Sequence, residues 1–134
     1  MNLKSVVINE KMALESLLVK LEKQHEFVVK NDVFNMDSIV RDINDSLKEI
    51  AKIEMERRNI TSGEDMSKIV EELGDGELEG EYREVKKLLH ALELQKSTNE
   101  LLIKQGLRYT NKMLQYINPD RSAKTYGVYG KMRK

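Results

Sequence analysis

The chain has no cysteine, no tryptophan, one proline and only two phenylalanines in 134 residues. Without cysteine it has no disulfide, no thiolate metal site and no thiol nucleophile. A β-rich domain needs turn chemistry and alternating β-branched or aromatic positions, and both are scarce here. All-β and α/β folds are therefore set aside. The longest apolar run is three residues, against the roughly 18 or more that a membrane span requires. The opening Met-Asn-Leu-Lys-Ser lacks the apolar stretch and small-residue cleavage site of a secretory signal. A single soluble, intracellular domain that does not insert into a membrane is expected.

What the chain has instead is charge and helix formers. Charged residues are 34% of the sequence, well above the roughly 25% of an ordinary domain. Ala, Glu, Lys, Leu and Arg together supply 59 of the 134 residues, close to the share found in coiled coils. The net charge of zero conceals a gradient: residues 1–76 carry −5, residues 77–117 carry +1 and residues 118–134 carry +4. The basic residues at the end, Arg121, Lys124, Lys131, Arg133 and Lys134, are spread out, which reads as a solvated tail rather than a nucleic-acid site.

Periodicity predicts the elements. Val7, Leu14, Leu21 and Val28 recur every seven residues with Leu3, Leu17 and Leu18 beside them, giving a helix over 3–30. Polar residues at 10, 11 and 24 interrupt that seam. Asn31-Asp32 predicts a corner near 31–37. Met36, Ile39, Val40, Ile43, Leu47, Ile50 and Ile53 then step by three and four along a second helix at 37–59. Thr61-Ser62-Gly63 stops it. A short helix at 64–73 is closed by Gly74-Asp75-Gly76.

From 77 to 117 the helical pattern is continuous, through Leu78, Tyr82, Val85, Leu89, Leu92, Asn99, Ile103, Gly106, Met113 and Ile117. Asn118-Pro119 ends it, because a residue before proline is pushed out of helical space. The expected fold is all-α: an antiparallel helical bundle, or coiled coil, of two helices plus one long C-terminal helix. A short helix lies between them, and residues 118–134 form a flexible basic tail. Midway along the last helix Gln95, Lys96, Ser97, Thr98 and Asn99 replace large apolar groups. Either the helix outruns its partners there and meets water, or Asn99 is a polar register device in the seam.

Catalytic and metal chemistry find no foothold. His25 and His90 stand alone in helices, and no Glu-x-x-His pair of the di-iron type occurs. The acidic stretch 71–81 lacks the alternating ligands of a calcium loop. No phosphate-cradling loop or nucleophile motif is present. No catalytic residue, metal or cofactor is expected.

The C-terminal half carries a resemblance. A long helix with TNELL at 98–102, closing in YINPD at 116–120 and followed by KTYGVYGK at 124–131, resembles the FlgN family of flagellar export chaperones. Asn99 with Leu101 and Leu102 matches the family's asparagine and leucine pair. Tyr126, Gly127 and Gly130 match its tail tyrosine and glycines, and ERR at 56–58 is also family-like. The resemblance implies a small, cytoplasmic, helical chaperone. It would hold hook–filament junction proteins through its last helix and deliver them to the flagellar type III export gate. Tyr126, with Gly127 and Gly130, would dock on the cytoplasmic part of that gate.

Amphipathic spacing agrees with helix-in-groove binding by the last helix. Asn99, Leu102, Ile103, Tyr109, Met113 and Tyr116 are the expected client-binding residues. Exposed seams leave room for a second copy of the chain. The competing reading is a structural coiled-coil adaptor or a stalk component of a secretion apparatus, which would leave the glycine-broken segment at 60–76 unexplained.

Overall fold

A computed structural model of the chain describes residues 2–117, with the side chains at 107–110 and 117 outside that description. Four helices follow in order: α1 Leu3–Val29, α2 Val33–Thr61, α3 Met66–Leu73 and α4 Gly76–Ile117. The all-α bundle expected from the periodicity is what forms. The chain divides into two units, residues 1–99 and 100–134. The bundle of the first unit is built by α1, α2, α3 and α4 as far as Asn99.

Each helix end has a local cause. The Asn2 side chain accepts from the Ser5 backbone N–H at 2.8 Å and caps α1. After Val29 the chain turns in three residues. Asn31 takes the left-handed conformation (φ 56°), and Asp32 caps α2 at once by accepting from the Asn35 N–H at 3.2 Å. The corner is thus shorter than the expected 31–37, and α2 starts at Val33 because Asp32 needs no further residues to satisfy its first turn. Ser62 and Gly63, both at positive φ, close α2. Asp65 caps α3 through the Ser67 N–H, and Gly74 closes it at φ 61°. The Asp75 carboxylate accepts from the N–H groups of Glu77 and Leu78 and starts α4.

The core is a heptad seam. On α1 it runs Leu3, Val7, Glu10, Leu14, Leu17 and Leu21, all buried. On α2 it runs Ile39, Ile43, Ser46, Ile50 and Ile53. On α4 it runs Leu78, Glu81, Val85, Leu88, Leu92, Gln95 and Asn99. Steps alternate three and four, the 3.5-residue repeat of coiled coils. Met66 and Val70 of α3 join the same cluster from the side, and the Tyr82 hydroxyl meets Ser67 Oγ at 3.3 Å.

Cross-helix contacts fix the directions. Glu10 pairs with Arg57 at 3.3 Å, and Lys20 bonds to Ser46 and to the Asp42 carbonyl, so α2 runs antiparallel to α1. Lys4 pairs with Glu77, Lys11 with Glu81 at 2.7 Å, and Asn99 reaches Leu21, so α4 runs parallel to α1. The bundle is up-down-up, with α3 as the connector that brings the chain back.

Candidate functional site

Asn99 and its partners close the first unit. Its side chain is 1% exposed. The Asn99 Nδ2 donates to the Leu21 carbonyl at 2.8 Å and to Gln24 Oε1 at 2.9 Å. Its Oδ1 accepts from Gln95 Nε2 at 3.0 Å, and that nitrogen also lies 3.4 Å from His25 Nδ1. A buried amide costs stability unless its donors and acceptors are matched, and here they are. The mid-helix polar stretch therefore divides by residue. Gln95 and Asn99 turn into the seam, while Lys96 and Ser97 are exposed. Asn99 belongs to the bundle's interior, as a buried clamp between α1 and α4.

The other expected client-binding residues fall in the second unit, on the part of α4 from 100 to 117. Positions 102, 109, 113 and 116 step by seven, four and three, which is one helical face. Leu102 and Ile103 are half-buried. Met113 and Tyr116 are exposed, Tyr116 at 92%. The Tyr109 side chain lies outside the described residues, as do Tyr126, Gly127 and Gly130. Leu101, part of the leucine pair but not among the expected client-binding residues, is also exposed on this segment. Ile103 lies about 100° round the helix from Leu102, so the two leave the helix in different directions. Gly106 sits in the same segment, with nothing near the position a Cβ would take.

Sequence reasoning missed the partners of the clamp. Gln24, read as a break in the α1 seam, is a ligand of Asn99. Glu10, read the same way, is 4% exposed and faces Arg57. A signal was present: Glu10, Gln24 and Asn99 all fall on heptad seam positions, where a polar residue needs a partner. Burial raises the Glu10 carboxyl above its ordinary value of 4.5; Arg57 partly offsets this, and Glu54 adds to it. The Lys11 ammonium is held up by its bond to Glu81. Among the described residues no three His, Asp or Glu side chains converge as metal ligands. Nor is any described helix long and apolar enough to cross a membrane.

The family model described as FlgN protein matches residues 1–134, the whole chain. The chain belongs to the FlgN family. FlgN proteins are flagellar export chaperones, and this helical chain is a member of that chaperone family. Neither the curated proteins nor the solved structures contain a match to it. For a FlgN protein, TNELL spans the junction of the two units: Asn99 ends the bundle and Leu101 and Leu102 open the following segment.

Proposed function

We propose that this chain is a cytoplasmic chaperone for hook–filament junction proteins, which it holds through α4 residues 101–117 and delivers to the cytoplasmic part of the export gate. The observation that carries the reading is the FlgN match over the full chain. The exposed apolar side chains of Leu101, Met113 and Tyr116 support it. Large apolar groups held at helical spacing and open to water suit an amphipathic client helix. Leu102, Ile103, Tyr109, Met113 and Tyr116 make the client contact. Asn99 serves as the clamp that ends the bundle just before it. Tyr126, with Gly127 and Gly130, takes the gate.

The test is co-purification with each junction protein of the same organism, followed by calorimetry. Binding buries apolar surface and gives a negative heat-capacity change. Leu102→Ser combined with Met113→Ser weakens client binding at least tenfold, about 1.4 kcal/mol, with helicity unchanged. Unaltered affinity in that folded variant would move the client surface elsewhere.

A further inference from the structure

At one end of the first unit the core is left open. Leu3 of α1, Ile60 of α2, and Ile69 and Leu73 of α3 line a groove of about 400 Å³, within the roughly 300–1,000 Å³ range of ligand clefts. Its floor is the core itself: Leu3 is buried in the seam and Ile69 packs against the same cluster. Its walls meet water, with Ile60 39% and Leu73 59% exposed. Apolar side chains scattered singly over a surface need no explanation. Four of them converging from three helices on one concave place do need one.

The surroundings are acidic. Residues 60–80, which form the end of α2, all of α3 and the start of α4, carry seven carboxylates and one lysine, a net charge of −6. Two of these carboxylates, Glu64 and Glu72, line the groove and are exposed. Neither makes an ion pair or side-chain hydrogen bond among the described residues. No lysine or arginine lines the groove.

The neighbouring cations are engaged or turned away. Lys4 is held by Glu77, Arg57 by Glu10, and Arg58 leaves α2 on the side away from Ile60. Lys68, the single lysine of the stretch, stands a turn before Glu72 without pairing with it. It lowers the local negative charge by one and leaves its sign unchanged. An apolar floor beneath unpaired carboxylates suits a ligand that is apolar at its centre and cationic at its edge. Another copy of the same groove would bring the same negative charge to the contact, and like charges so placed oppose association.

We propose that this groove is a docking site for a basic segment of another protein, one with a large apolar side chain flanked by lysine or arginine. The apolar side chain would sit between Leu3, Ile60, Ile69 and Leu73, and the flanking cations would meet Glu64 and Glu72. None of these residues belongs to the α4 segment given to the client, and the proposal does not depend on what that segment holds.

The test uses the full chain and three short fluorescein-labelled peptides. The first carries phenylalanine between lysines, the second phenylalanine between glutamates, and the third serine between lysines. Fluorescence anisotropy should show the first binding at least tenfold more tightly than either of the others. Ile60→Ser with Leu73→Ser, both at exposed positions, should weaken that binding at least tenfold with helicity unchanged. Glu64→Lys with Glu72→Lys should do the same. Glu22→Lys with Glu49→Lys, an equal change of charge elsewhere on the chain, should leave it nearly unaltered. Failure of the first peptide to bind, equal binding of the serine peptide, full binding by the serine variant, or equal losses in the two charge variants would each overturn the proposal. A peptide of this chain's residues 118–134 that outcompetes the first peptide would overturn it too, giving the groove to the chain's own tail. So would a wild-type dimer in sedimentation equilibrium that the serine variant converts to monomer, giving it to a second copy.

Discussion

Two residues in the seam, Glu10 and Asn99, are polar for different physical reasons, and substitution separates them. Glu10 is buried beside Arg57, and burial holds its carboxyl above 4.5. Between 4.5 and that raised value the folded state holds a proton that the unfolded state has released, so stability falls as pH rises through this window. Glu10→Gln removes this dependence: its stability in urea should be flatter above pH 4.5 than that of wild type. Arg57→Met acts in the opposite sense, stranding a buried carboxylate, and should cost on the order of 3 kcal/mol at pH 7. Asn99 is uncharged and satisfied. Asn99→Ala strips the clamp from Gln24 and Gln95 and should cost about 1–3 kcal/mol in urea denaturation, with little pH dependence.

At the scale of the element, the sequence showed which segments are helices but put the wrong leucine of a pair in the seam. Leu88 and Leu89 both fit a 3.6-residue period, and the spacing from Tyr82 and Val85 picked Leu89. The structure half-buries Leu88 and leaves Leu89 exposed, because the 3.5-residue repeat shared with α1 selects 78, 81, 85 and 88. The α1–α2 corner was misjudged for a similar reason: turn chemistry at Asn31 and Asp32 was visible, but not that Asp32 would cap the next helix without a spacer. Candidate site positions were legible as a spacing, whereas the depth of Asn99 was not, since its partners lie more than seventy residues away. One element-level prediction concerns Gly106. It lies inside α4 with open space around it, and glycine there costs about 1 kcal/mol relative to alanine. Gly106→Ala should raise helicity by circular dichroism. If client binding needs the 100–117 segment to adapt its path, that variant also binds the client more weakly.

For the whole molecule, delivery and folding make separate demands. The tail tyrosine is far along the chain from every seam residue. On the family reading Tyr126→Ala should leave stability within about 0.5 kcal/mol and client affinity unchanged. It should lower affinity of the loaded chaperone for the export gate at least tenfold, about 1.4 kcal/mol, in a direct binding assay.

The parallel pairing of α1 with α4 also sets an order of events in time. α1 and α2 meet across a three-residue corner, so their contacts close a short loop, whereas Lys4–Glu77 and Asn99–Leu21 each close loops of over seventy residues. Short loops close first because they lose less chain entropy. The α1–α2 hairpin is then the nucleus, and α4 docks on it late. Stopped-flow kinetics should show Ile50→Val slowing folding, while Asn99→Ala leaves the folding rate nearly unchanged and speeds unfolding. By the same ordering, the helix that arrives last is the first to come away on unfolding.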